Sequence, residues 1–168
     1  MSRAVRRVPK DWKHPTEMGP NGVERYRPMF GRSLSAATKR WDEENEKWQQ
    51  GLARDYGTDD NKWGPKLEKY ADMSFSEYDG DRPDPARYMP EWPDSERTHL
   101  QMYETTSEGT PISPVMETPE ELARWLVYNQ ASAFAGITAT YEQWLKMIVR
   151  GWAPSAYLDG HGIKPGVP

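Results

Sequence analysis

Apolar positions along the chain fall into stretches of different period. Residues 1–32 hold Pro9, Pro15, Pro20 and Pro28 among Gly and Arg, a spacing that interrupts any helix early and predicts an extended arm. From Ser33 or Ser35 as N-cap, Ala37, Trp41, Asn45, Trp48 and Leu52 recur at steps of three to four and predict a helix over 33–55. At about 100° per residue, Trp41, Trp48 and Leu52 share one face, while Asp42, Glu43 and Glu46 point outward.

Residues 56–97 return to Pro, Gly, Asp and Tyr. They predict a long irregular segment that wraps a core, pinned by Trp63, Tyr70, Tyr78, Tyr88 and Trp92. From Thr98 to Thr106 the pattern alternates, with Leu100, Met102 and Glu104 on one side and Gln101, Tyr103 and Thr105 on the other, as in a half-buried strand. A turn at Ser107-Glu108-Gly109 leads to a short returning strand over 112–116, which Pro111 and Pro114 confine to an edge.

Thr118-Pro119-Glu120-Glu121 joins a cap, an N1 proline and a capping-box glutamate, and starts a helix running to Asn129. Thr140 with Gln143 starts another that stops at Gly151, and the tail from Ser155 to Ile163 reads as a small hairpin. Together these elements predict an α+β fold: about three helices on a small antiparallel sheet, with an arm over 1–32 and one domain over 33–168.

Composition narrows the chemistry. In 168 residues there are eight Trp and nine Tyr, so aromatic rings must supply much of the buried area. There is no Cys, which excludes disulfides, thiolate nucleophiles and cysteine-ligated zinc, and suits a reducing cytoplasm. No run of about 18 apolar residues predicts a membrane span. The net charge is −4, yet the first 40 residues hold ten Lys and Arg against three acids. That basic arm either lies across the chain's own acidic body, the simpler reading, or binds phosphate.

His14, His99 and His161 stand in separate contexts with no i, i+4 pair, so neither a metal site nor a cofactor is expected. No phosphate-loop, dinucleotide-loop or serine-elbow pattern occurs, which favours a non-enzymatic role. Three candidate sites remain. The acidic helix face of Asp42, Glu43 and Glu46 could engage a basic surface. A small-ligand or nucleotide pocket, of a binding protein or an enzyme, could form around Tyr103, Glu104, Ser107, Glu108 and Thr110. Arg6, Arg7 and Trp12 could contact a partner or nucleic acid, direct nucleic-acid binding being the less favoured reading.

Two stretches carry a resemblance: Val5-Arg6-Arg7-Val8-Pro9-Lys10-Asp11-Trp12-Lys13-His14-Pro15, and the run from Met89 through Tyr103-Glu104-Thr105-Thr106-Ser107-Glu108-Gly109-Thr110-Pro111 to Leu126. With Gly151-Trp152-Ala153-Pro154-Ser155-Ala156, they are similar to a group of small accessory proteins of tailed phages and prophages. Some of that group carry Cys-x-x-Cys pairs, which this chain lacks. The resemblance implies a setting in the host cytoplasm. It also implies a protein that binds and inhibits a host protein or protein–nucleic-acid complex, for instance a defence system, as anti-CRISPR proteins do.

Overall fold

The computed structural model describes residues 3–54, 62–105, 109–133, 136–153, 156–159 and 162–165. In chain order the elements are β1 (Arg3–Val8), β2 (Thr16–Met18), β3 (Glu24–Tyr26), α1 (Leu34–Gln49), β4 (Leu52–Arg54), β5 (Trp63–Pro65), α2 (Phe75–Asp79), β6 (His99–Glu104), β7 (Thr110–Pro111), α3 (Pro119–Tyr128), α4 (Tyr141–Arg150), β8 (Trp152–Ala153), β9 (Ala156–Asp159) and β10 (Gly162–Pro165). The protein is α+β. It divides into two compact units, residues 1–31 with 90–168, and residues 32–89.

The first unit is built on a sheet of order β7-β6-β1-β8. β1 runs antiparallel to β6, with Arg3 opposite Glu104, Val5 opposite Met102 and Val8 opposite His99. The segment read from the sequence as an arm is therefore a central strand, whose backbone groups need neighbours on both sides. Its Arg side chains hide a strand that an apolar pattern would have revealed.

Pairing also corrects the expectation for β6. Leu100 and Met102 pack with Leu122, Ala123 and Leu126 of α3 and with Trp144, Met147 and Ile148 of α4. Gln101 and Tyr103, on the opposite face, are buried as well. The strand is covered on both sides rather than half-exposed. The returning segment pairs with it through β7 and through a two-bond bridge between Leu100 and Met116.

Helix ends follow the local chemistry. Thr118 Oγ1 accepts from the Glu121 amide, and Pro119 occupies the first turn. The Glu121 carboxylate accepts from the Glu117 amide instead of closing a reciprocal box. Thr140 and Gln143 form the complete box, and Gly151 ends α4 in the left-handed region. The tail forms the hairpin β9–β10, with Leu158 opposite Ile163.

In the second unit, Ser33 caps α1, which ends at Gln49. Leu52, placed by its period on the same helix, belongs to β4, because Gly51 turns the chain with φ +81. The stretch expected to be irregular holds α2, started by a reciprocal Ser74–Glu77 box. Its aromatics pack on α1: Tyr78 stacks on Trp48 at 4.3 Å, and Phe75 lies 5.3 Å from Trp41. Trp48 Nε1 donates to the Met73 carbonyl and Trp41 Nε1 to that of Gly80.

Among the described residues no helix is long and apolar enough to cross a membrane, and no group of three or more His, Asp or Glu could hold a metal ion.

Candidate functional site

Among the described residues of the first unit, a buried polar constellation is centred on Tyr103. Strand alternation turns Tyr103 and Gln101 of β6 and Arg6 of β1 to the face away from α3 and α4. After β1, the turn at Pro9, whose carbonyl accepts from the Trp12 amide, brings the chain back over that face. Trp12 Nε1 donates to the Tyr103 hydroxyl at 3.1 Å, and His14 Nδ1 meets the same oxygen at 3.1 Å. The hydroxyl donates to Gln101 Oε1 at 2.7 Å, and Gln101 Nε2 donates to the Ser113 carbonyl.

Cationic groups lie against this cluster. The Arg6 guanidinium sits 4.1 Å from the centre of the Tyr103 ring and donates to the Met29 carbonyl. His14 Nε2 lies 2.7 Å from the Arg27 carbonyl, which fixes a proton on that nitrogen. Burial pushes the Tyr103 phenol up to about 12, although the Trp12 hydrogen bond and Arg6 pull the other way. Burial also lowers His14, helped by the charges of Arg6 and Arg27 and opposed by the Arg27 carbonyl. Arg6 is lowered chiefly by burial.

The rest of the expected pocket is not gathered around that hydroxyl. Glu104 turns to the other face and forms an ion pair with buried Arg3 at 3.6 Å, while Arg3 Nε donates to the Ser132 carbonyl. Thr110 stands opposite Glu104 in β7, half-buried, and Ser107 and Glu108 lie outside the described residues. Of the proposed basic contacts, Arg6 and Trp12 face inward onto Tyr103 and Arg7 alone is exposed.

Periodicity missed His14, Gln101 and Ser113. One signal was present: the two stretches singled out above, 5–15 and 89–126, meet at Tyr103.

On the second unit, Asp42, Glu43 and Glu46 are exposed on the outer side of α1, as the helical period requires. Arg82 forms a two-pronged pair with Asp42, at 2.8 and 2.9 Å, and holds that carboxyl below its usual range. Lys39 lies 3.9 Å from Glu43. Their neighbour Glu44 is buried between Arg40 and Arg54, a role that the helical period does not reveal.

Compared with known proteins, the chain matches no family model, no curated protein and no solved structure.

Proposed function

We propose that the protein is a non-enzymatic phage accessory protein that binds a host protein or protein–nucleic-acid complex and blocks its basic surface. The observation that carries this reading is the exposure of Asp42, Glu43 and Glu46 on one side of a helix anchored from behind by Trp41 and Trp48. Their pairs with Arg82 and Lys39 are solvent-exposed, and such pairs contribute only about 0–1 kcal/mol. Cations of a partner can therefore replace them at little cost. By contrast, the Tyr103 hydroxyl, centre of the alternative pocket, is already held by Trp12, His14 and Gln101.

The test is capture from host extract at low salt, with identification of the captured complex and a thermal melt of every variant. Reversing Asp42, Glu43 and Glu46 to Lys should leave the melting temperature near that of the parent and abolish capture, because attraction becomes repulsion. A folded triple reversal that captures the same complex at full strength would remove the support for this function.

A further inference from the structure

Cations in the second unit pair with carboxylates, lie over aromatic rings, or, like Arg54 over Trp63, do both. Lys39, Arg40, Arg54 and Arg82 are each paired with a carboxylate of α1. Lys47, Lys66 and Lys69 instead lie over aromatic rings: Lys47 Nζ is 4.4 Å from the centre of Trp63, Lys66 Nζ 4.3 Å from Trp48, and Lys69 Nζ 4.7 Å from Tyr70. Among the described residues no carboxylate lies within 4.0 Å of these three ammoniums.

Backbone pairing draws these three contacts into one neighbourhood. Lys47 and Trp48 occupy the last turn of α1, Trp63 lies in β5, and the Lys66 amide donates to the Gly51 carbonyl just beyond the helix. Trp48 and Tyr70 are 6.4 Å apart, so Lys66 and Lys69 flank a single aromatic pair. Trp48 itself is sealed between Tyr78 and Lys66, with 3% of its surface exposed. Trp63 and Tyr70 remain half-exposed.

We infer that this lysine–aromatic surface binds the phosphodiester backbone of single-stranded nucleic acid. Each ammonium already sits over a ring, so part of its side-chain freedom is spent before an anion arrives. Each ammonium lacks a counter-ion within the described fold, and a phosphate supplies one. Trp63 and Tyr70 are half-exposed beside these ammoniums, and their exposed aromatic surface offers bases a stacking partner that an acidic peptide does not use. Exposed Glu68 lies between Lys66 and Lys69 in the chain and opposes an anion there, so binding is expected to be modest and to be seen first at low salt. The surface does not include Asp42, Glu43 or Glu46, so this inference stands or falls separately from the function proposed above.

The experiment titrates the full chain with a fluorescent single-stranded DNA oligonucleotide and, separately, with polyglutamate, across a range of salt. Tryptophan emission serves as a second signal. The expected result is oligonucleotide binding without comparable polyglutamate binding. Changing Lys47, Lys66 and Lys69 together to Gln should weaken it about tenfold or more and flatten the log–log salt slope by about 2. Because those lysines also cover rings, a matching triple change to Arg keeps charge and cover, and should bind like the parent. No oligonucleotide binding at low salt, equal binding of polyglutamate, a folded Gln variant that binds normally, or a folded Arg variant that does not bind would each overturn the inference.

Discussion

His14 and Tyr103 share a hydrogen bond whose proton must be chosen between two acceptors. Because His14 Nε2 faces the Arg27 carbonyl, its neutral ring presents a lone pair from Nδ1 to the Tyr103 hydroxyl. That hydroxyl has one hydrogen, and Gln101 Oε1, nearer at 2.7 Å, competes for it. Protonating His14 would satisfy both contacts but would add a buried cation beside Arg6 and Arg27.

Burial and those two guanidiniums win, so the folded state holds the imidazole below its ordinary value. Other ionisable groups around it are Tyr103 of β6, Tyr26 of β3, whose ring meets His14 edge-on, and Glu17 of β2, which pairs with Arg27. A depressed histidine means that the unfolded chain takes up its proton first as pH falls. Stability should be fully present above about pH 6.5 and decline below it, until the folded state also protonates. Denaturant melts between pH 8 and about pH 5 should show this slope, and His14→Gln should flatten it. An unchanged slope in the variant would show that another group titrates there.

Tyr103→Phe keeps the ring beneath Arg6 but strips Trp12 Nε1 and Gln101 Oε1 of their partner. Stranding buried polar groups in this way should cost about 1–3 kcal/mol, measured by chemical denaturation. A neutral outcome would mean that water replaces the hydroxyl.

Gly51 and Gly109 both have positive φ, yet they should respond differently to Ala. A Cβ at Gly51 meets nothing, whereas one at Gly109 would run into the Met29 carbonyl. Gly51→Ala should cost about 1 kcal/mol from backbone conformation alone. Gly109→Ala should cost distinctly more, because the chain around Met29 must also move. Melting temperatures of the two variants in parallel decide the ranking.

Thr118→Ala and Thr140→Ala each remove a hydroxyl that accepts from a first-turn amide, at 3.1 and 3.3 Å. Each should destabilise by about 1 kcal/mol. Thr140 also belongs to a reciprocal box with Gln143, so Gln143→Ala should add little once Thr140 is gone; a double-mutant cycle measures that coupling.

These caps were legible in the sequence because their partners lie three residues away. So was the outward set on α1, since helical period fixes faces. Features that depend on distant partners were not. Arg3, Arg6 and Arg7 look like a solvated basic segment until β6 and β8 appear on either side. Gln101 and Tyr103 alternate with apolar residues exactly as exposed positions would, because their burial is imposed by Trp12 and His14, about ninety residues earlier. Glu44 is one of several acids on α1, and only the return of Arg54 from β4 sets it apart. Ser74 and Glu77 formed a readable box, masked by the Pro, Gly and Asp around it.

β1 lies between β6 and β8, strands that begin at His99 and Trp152. On the ribosome, Arg3–Val8 emerges long before either neighbour exists, while residues 32–89 can close their own contacts as soon as they are made. Completing the sheet therefore requires ends far apart in sequence to find each other across an already folded insert, and loop closure of that length is slow. Until it happens, an arginine-rich strand stays open to other anions in the cell, so the order of synthesis gives this chain an interval in which its charge is available and its fold is not.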